Sequence, residues 1–344
     1  MAFPVIHLRG DEQEAFQADV LRGLQCERKY LLPKYLYDQR GSELFELITL
    51  LPEYYLTRSE QEILERYSRE IISQTKGDCW LVELGAGSGK KTRTLLSAFQ
   101  TQTLRHAHFS NASAHAEAHY RYIPIDISEE FLYDSSLRLQ REFPMIPMQP
   151  VCADFLQGVE YAAAERNKTA DQTRLIIYFP GSTIGNLTRV EAAEFFLRLR
   201  KLLQPDDALL LAADMNANAH KSIQTLHDAY NDASGITAAF NLNILHRMNR
   251  ELSATIPLDS YKHVAYYNAG ESRVELFLES MDYHAFTIGE SRIEIAEGER
   301  IHTEYSHKFS TAMIHNMADL TDFTVQASWH DAQQYMGLYW LCAY

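Results

Sequence analysis

The sequence predicts an α/β fold built on a parallel sheet, with a second, mixed α+β lobe. Three observations predict it. Between Cys79 and Ala213, short continuous apolar runs alternate with helical patterns, as parallel strands buried on both faces do. A glycine-rich turn, Glu83-Leu84-Gly85-Ala86-Gly87-Ser88-Gly89, follows the first of those runs directly. After Asp214 the alternation stops and extended segments take over.

The elements follow in order. Residues 1–33 form a lead-in with a helix over 12–24, and residues 32–38 read as an ordered loop. Residues 41–48 are expected to be a short helix capped by Ser42, broken by Leu51-Pro52-Glu53-Tyr54-Tyr55. Residues 57–73 are amphipathic, with Ile63, Leu64, Tyr67, Ile71 and Ile72 on one side. Strands are expected at 79–84, 122–127, 147–153, 174–179 and 208–213, with helices at 90–98, 128–142 and 189–203 between them. Residues 100–120 interrupt the pattern with a polar, Ala-rich stretch carrying His106, His108, His115 and His119. His115 and His119 have the spacing of a zinc-binding pair on a helix. No acidic third ligand comes with them, so a solvated insertion is the expectation and no metal is called for. Residues 216–240 read as mostly helical, and 264–279, 285–297 and 301–308 as extended. The runs 323–329 and 336–342 are strand-like and can return to complete the parallel sheet. The expected division is 59–215 with 309–344 as one domain, and 1–58 with 216–308 as a substrate-binding lobe.

Bulk properties exclude several classes. Of 344 residues, 46% are hydrophobic and 23% charged, an ordinary globular mix long enough to bury a full core. The formal net charge of −14 disfavours a phosphate backbone as partner, so nucleic acid is not expected. Cys26, Cys79, Cys152 and Cys342 form no CxxC pair and fit a reducing, cytoplasmic setting. Residues 1–10 lack a basic region followed by an apolar core, and no run approaches the roughly 18 apolar residues of a span. A monomer without a membrane role is the expectation.

The glycine turn is specific. Its spacing is E-x-G-x-G-x-G, between an apolar strand and a helix. A dinucleotide fingerprint, G-x-G-x-x-G, would place the third glycine one residue later. A P-loop would need G-x-x-x-x-G-K-[ST], yet Leu84 and Lys91 stand where glycine and Ser or Thr belong. The remaining reading is S-adenosylmethionine, which has no phosphate but needs close backbone approach and an acid on its ribose. Asp126, at the end of the second strand, can accept from ribose hydroxyls. Asp154 and Phe155, at the end of the third, can take the adenine amino group and stack on the ring. Acids at successive C-terminal strand ends lie where open α/β sheets bind ligands. The cofactor set is therefore Glu83, Gly85, Gly87, Gly89, Lys90, Asp126, Asp154 and Phe155. The fold class becomes a class I, Rossmann-like methyltransferase domain, with S-adenosylhomocysteine as the cofactor product.

Beyond the fourth strand, Tyr178-Phe179-Pro180-Gly181-Ser182-Thr183-Ile184-Gly185-Asn186-Leu187 is a punctuated loop at the mouth of the sheet. Read alone, it is better explained by turn-forming residues than by a ligand. Over residues 32–344, however, the sequence resembles the histidine-specific Nα-methyltransferases of ergothioneine biosynthesis. The resemblance rests on Tyr37-Asp38, Gly41-Ser42, Leu44-Phe45, Leu51-Pro52-Glu53-Tyr54-Tyr55 and Thr57-Arg58, then the glycine turn and Gly181 to Leu187. Asp228-Ala229-Tyr230-Asn231-Asp232, Phe240-Asn241, Thr303-Glu304, Ser306 and Lys308-Phe309 complete it, in order.

The resemblance implies transfer of three methyl groups to the α-amine of L-histidine, giving trimethylhistidine (hercynine), with no metal. It implies that Asn186 and Tyr230 hold the carboxylate and that Glu304 and Ser306 hold the imidazole. Tyr37, Phe45 and Tyr54 would line the amine, with a backbone contact at Gly181. Tyr37, Tyr54 and Gly181 would stand nearest the chemistry. Leu276 stands where the family has a ring-lining Met, and Tyr305 where it has a smaller residue. Leu for Met nearly conserves volume. The alternatives are another aromatic amino acid, tryptophan or tyrosine, or a sensor that binds without turnover.

Overall fold

The computed structural model describes residues 4–8, 12–75, 78–109, 120–169 and 173–343. The chain divides into two compact units. One comprises Met1–Leu8, Leu56–Asn216 and Phe309–Tyr344, the other Arg9–Tyr55 and Ala217–Lys308. The strands in chain order are β1 (Ile6–His7), β2 (Cys79–Leu84), β3 (Tyr120–Asp126), β4 (Val151–Cys152), β5 (Arg174–Phe179) and β6 (Ala208–Asp214). They continue as β7 (Tyr261–Asn268), β8 (Arg273–Ser280), β9 (His284–Ile288), β10 (Ser291–Ile295), β11 (Arg300–His307), β12 (Phe323–His330) and β13 (Met336–Ala343).

In the first unit an eight-stranded sheet runs β1-β4-β3-β2-β5-β6-β13-β12. Neighbours from β1 to β6 are all parallel. The reversal of strand order at β2 and β5 is the switch point outside which such sheets bind ligands. Val82, Leu84, Ile123, Ile125, Ile177, Phe179, Leu209 and Leu211 are wholly buried, which is why these strands read as unbroken apolar runs. The tail returns to the sheet, but antiparallel: Met336 pairs with Asp214 and Cys342 with Ala208. The short turn between β12 and β13 makes those two strands antiparallel partners, because a parallel return needs a long crossover.

Two expectations change here. The strand expected over 147–153 contracts to Val151–Cys152, with Met148 bridging Tyr122 only singly. The helix after the glycine turn starts later and runs further, over Thr92–Phe109, and takes in His106 and His108. His115 and His119 lie outside the described residues.

A buried ion pair closes the base of this unit. Asp207, in the turn before β6, accepts from the backbone N–H of Leu175 and of Gln204, each at 2.7 Å, and pairs with Arg166. Arg166 and Asp207 are both buried. Burial pushes the Asp207 carboxyl upward, against these hydrogen bonds and the guanidinium.

The second unit holds the helices Glu12–Leu24, Gln39–Ile48, Ile223–Asp228 and Ile236–Glu251. A three-stranded antiparallel sheet runs β11-β8-β7, and β9 and β10 form a separate hairpin. The extended runs 264–279 and 285–297 are thus hairpins, turning near Ser272 (φ 50°) and Gly289 (φ 56°). The cap of the helix Gln39–Ile48 is Asp38, whose carboxylate accepts from Gly41 N–H at 2.8 Å; Ser42 lies buried inside the helix.

One irregularity sets a face of the three-stranded sheet. The register between β8 and β11 shifts between His302 and Glu304, leaving Thr303 as the extra residue of a bulge. Ile301, Glu304 and Ser306 therefore stand opposite Leu278, Leu276 and Val274, all on one face. Without the bulge, Ile301 and Glu304, three apart, would face opposite ways.

Replacing Asp207 with alanine should leave Arg166 buried without its carboxylate. The expected loss of unfolding free energy is about 3–5 kcal/mol by urea denaturation. A loss below about 1 kcal/mol would show the pair to be dispensable.

Candidate active site

At the C-terminal end of β2, Gly85, Gly87 and Gly89 all have positive φ (75°, 51° and 69°). Loop and sheet are stitched together: Gly85 and Ala86 donate to the Ile125 carbonyl at 2.9 and 3.1 Å. Gly87 N–H donates to Asp126 Oδ2 at 3.0 Å, while Asp126 Oδ1 accepts from Ser128 N–H at 3.0 Å. A Cβ on Gly85 would meet only the Phe155 ring, at 3.7 Å, and one on Gly87 nothing nearer than 4.0 Å. A Cβ on Gly89 would instead strike Leu139 at 2.6 Å. The first two glycines border open space, and the third admits a close-packed neighbour. Phe155 lies edge-on to Phe179, 5.2 Å between centroids. Asp154 opens the helix Phe155–Arg166 exposed, and its side chain caps nothing. Lys90 is exposed at the end of the loop.

Two buried carboxylates sit in the framework of this loop. Glu83 accepts from Thr92 Oγ1 at 2.5 Å and from the Tyr122 hydroxyl. Burial raises its pKa to about 7, against the pull of both hydrogen bonds. Glu60 accepts from the Tyr178 hydroxyl at 2.7 Å, from Lys91 Nζ at 2.5 Å and from Gly181 N–H at 3.0 Å. One carboxylate thus ties the start of the helix after the glycine loop to the end of β5 and to the loop beyond it. There Gly181 and Ser182 are both left-handed (φ 71° and 59°), and Ser182 Oγ accepts from Asp214 N–H at 2.9 Å. The turn Thr183–Asn186 follows and ends on half-buried Asn186.

In the second unit a row of aromatic rings is continuous. Tyr37 and Phe45 are 5.6 Å apart, Phe45 and Tyr54 6.2 Å, and Tyr54 and Tyr230 6.2 Å, all edge-on. Phe240 joins at 5.3 Å from Tyr37 and 6.0 Å from Phe45. The row ends in a polar cluster, where the Tyr230 hydroxyl lies 2.6 Å from Ser306 Oγ. Glu304, Ser306 and Leu276 share the face that the bulge creates.

Residues 16–343 match the family described as histidine-specific, S-adenosylmethionine-dependent methyltransferases. A relative named histidine N-alpha-methyltransferase, from Mycolicibacterium smegmatis, is 40% identical over 86% of this chain and 85% of its own. Ergothioneine biosynthesis protein 1 of Neurospora crassa is 31% identical over 64% of this chain and 23% of its own. L-tryptophan methyltransferase of Psilocybe serbica is 24% identical over 95% of this chain and 94% of its own. The chain belongs to the histidine-specific, S-adenosylmethionine-dependent methyltransferase family. It is a methyltransferase, and the expected fold class and cofactor hold.

For this methyltransferase the cofactor's requirements fit the loop. Open space borders Gly85 and Gly87. The Asp126 carboxylate ends β3 beside the loop and accepts from Gly87 and Ser128 N–H. Among the described residues, no group of three or more His, Cys, Asp or Glu is placed to hold a metal, and no helix is long and apolar enough to cross a membrane.

Several residues of the site escape sequence reasoning. Glu60 lies in an amphipathic helix and reads as solvated face, yet is fully buried. Lys91, Thr92 and Tyr122 carry no motif signal of their own. His263 accepts from the Asn241 amide at 3.0 Å and donates to the Tyr230 carbonyl at 2.9 Å. That amide also donates to the Phe277 carbonyl at 3.0 Å, which fixes its orientation and hence the histidine tautomer. Burial holds the His263 pKa down. Asp38 binds Asn243 at 2.7 Å and Arg250 at 2.5 Å. Burial alone would raise its pKa, but hydrogen bonds from Arg250, Gly41 and Asn243 outweigh that and keep it low. Tyr305 points to the face opposite Glu304, packed on His302 and under the Arg273 guanidinium at 3.9 Å.

Glu83 predicts a pH effect. Its folded pKa of about 7 exceeds the unfolded 4.5, so the folded chain binds the extra proton. The associated stability is fully present below about pH 4.5 and is lost as pH rises through 7. Between pH 5 and 7.5 the wild type should lose on the order of 2–3 kcal/mol relative to Glu83→Gln. Parallel stability curves for the two proteins would show that Glu83 does not titrate in this range.

Proposed function

We propose that the chain transfers methyl groups from S-adenosylmethionine to the α-amine of L-histidine, three in succession, as a step of ergothioneine biosynthesis. The observation that carries this reading is the sheet face bearing Glu304 and Ser306. A carboxylate and a hydroxyl two residues apart suit the two nitrogens of an imidazole, one accepting N–H and one adapting to its partner. The Tyr230 hydroxyl adjoins Ser306. The similarity to a named histidine N-alpha-methyltransferase over most of both chains supports it.

In this reading Gly85, Gly87 and Gly89 let the backbone approach the cofactor, with Lys90 at the loop's end. Asp126 accepts from the ribose, Asp154 and Phe155 hold the adenine, and Glu83 braces the loop through Thr92 and Tyr122. S-adenosylmethionine supplies the methyl group as a sulfonium. The protein's task is to present a neutral amine in line with it, so positioning dominates. Asn186 and Tyr230 hold the carboxylate, and Gly181 offers its backbone beside the amine. Tyr37, Phe45 and Tyr54 surround the amine; low polarity there lowers its pKa and frees the lone pair. The same rings suit the cation that forms as methyl groups accumulate. Leu276 lines the ring pocket opposite Glu304. A monomer in the reducing cytoplasm completes the proposal.

The relative named for tryptophan keeps a second amino acid in view. Titration calorimetry with S-adenosylhomocysteine present separates the two. Histidine should bind and tryptophan should not; the converse would sink the histidine reading. Incubation with cofactor should add three CH2 units to histidine by mass spectrometry, and no mass gain would mean a binding protein only.

Glu304→Ala should weaken histidine binding by on the order of 1.5–3 kcal/mol and leave S-adenosylhomocysteine binding unchanged. Equal loss of both ligands would point to a folding defect.

A further inference from the structure

Lys308 follows β11 directly and is fully buried. Its ammonium donates to Tyr230 Oη at 2.9 Å and to Ser306 Oγ at 2.7 Å. It lies 4.8 Å from the Tyr230 ring centroid. With the two hydroxyl oxygens 2.6 Å apart, the three polar atoms close a triangle.

Counting protons fixes what the triangle can offer. An ammonium only donates, and each hydroxyl has one proton and two lone pairs. Lys308 occupies a lone pair on each oxygen. As the triangle stands, one hydroxyl donates to the other. When ligand atoms claim both protons, the ammonium still bridges the two oxygens, so both O–H groups can turn outward together. The positive charge behind them makes each a stronger donor. Without Lys308, oxygens this close need a proton between them, and one outward donor is lost.

We propose that Lys308 is a positioning residue that locks Ser306 and Tyr230 as hydrogen-bond donors, so that the imidazole subsite takes the substrate ring in its neutral form. This inference rests on the histidine reading above. A neutral imidazole has one N–H and one bare nitrogen. Glu304 accepts the N–H and Ser306 donates to the bare nitrogen, while Tyr230 donates to the carboxylate. An imidazolium carries N–H at both nitrogens. It would set donor against donor, with the Lys308 charge behind. Among the described residues, the charged and titratable groups on this strand face are Glu304 and Lys308 of the β11 segment and, from β7, His263, Tyr261 and Tyr267. Tyr230 faces them from the segment after the helix Ile223–Asp228, with its backbone carbonyl held by His263, and β8 contributes Val274, Leu276 and Leu278.

The test uses the full chain with S-adenosylhomocysteine present. Ring-15N-labelled L-histidine bound to the wild type at pH 6 should show one protonated and one bare nitrogen by NMR. Two protonated nitrogens would overturn the proposal. Calorimetry at pH 7.5 and 5.5 adds a second reading. A ring of pKa about 6.5 loses about tenfold in its neutral fraction over that interval, so the wild-type Kd should rise about tenfold. In Lys308→Met, Ser306 regains a lone pair for an imidazolium N–H, and the rise should shrink to less than about threefold. A Lys308→Met ratio equal to the wild type's overturns the role of Lys308 alone. A wild type that binds no histidine at either pH overturns the histidine reading, and this proposal with it. Should Lys308→Met not fold, the wild-type NMR result decides whether the ring is neutral, and Lys308→Arg, which keeps the cationic donor, should keep the roughly tenfold ratio; a ratio below about threefold there overturns the role of Lys308.

Discussion

Glu60 is a carboxylate taken wholly out of water, and three separate segments must supply its donors. Leaving such a group unpaired costs several kcal/mol, so the chain is constrained to bring Lys91, Tyr178 and Gly181 N–H to it. Those donors belong to the helix after the glycine loop, to the end of β5 and to the loop that leads to Asn186. The positions of the cofactor loop and of the Gly181 loop are therefore not independent. Glu83 repeats the device one strand away, drawing Thr92 and Tyr122 to the end of β2. The C-terminal edge of the sheet is held from inside by carboxylates whose satisfaction fixes the glycine loop and the Gly181 loop.

The second unit applies the same logic with a cation. Lys308 is buried and must be met by acceptors, and Tyr230 and Ser306 meet it. The Tyr230 backbone is separately fixed by His263 and Asn241. Asp38 caps the helix that carries Phe45 and is itself gripped by Asn243 and Arg250 from the helix Ile236–Glu251. The aromatic row is thus positioned by polar groups at its edges. Apolar packing alone would leave rings of this size several ways to settle.

Much of the first unit was legible because its strands are buried on both faces. Cys79 to Leu84 and Arg174 to Phe179 are apolar throughout and bounded by turn residues, so pattern and structure coincide. The glycine loop was legible because close backbone approach admits few other residues. The tail is half legible: its apolar runs mark two strands, but nothing in them sets the antiparallel direction of β13 against β6. The hairpins β7–β8 and β9–β10 each read as one long extended run, although a glycine in each turn, Gly270 and Gly289, marks the break. Ser42 reads as a cap because a serine near a helix start competes well for that place. Asp38 wins because its carboxylate also answers Asn243 and Arg250, which are distant in sequence. Glu60 and Lys308 were illegible as buried groups, because charged residues are seldom fully buried and long-range partners decide the exceptions.

The bulge at Thr303 shows why the candidate substrate site needed a structure. Two-residue spacing already places Glu304 and Ser306 on one face, but spacing alone leaves open which neighbours share it. The bulge sets them opposite Leu276 and Val274, and it sends Tyr305 to the other face with His302 and Arg273. The bulk at position 305 therefore has no bearing on the face that holds Glu304. The Leu276 departure does lie on that face, directly opposite Glu304, and is fully buried. A branched side chain there has fewer rotamers than methionine and adapts less to a larger ring. In the proposed reading, where Glu304 takes an N–H and the hydroxyls are backed by an ammonium, it would narrow the accepted side chain to a small ring with one donor and one acceptor.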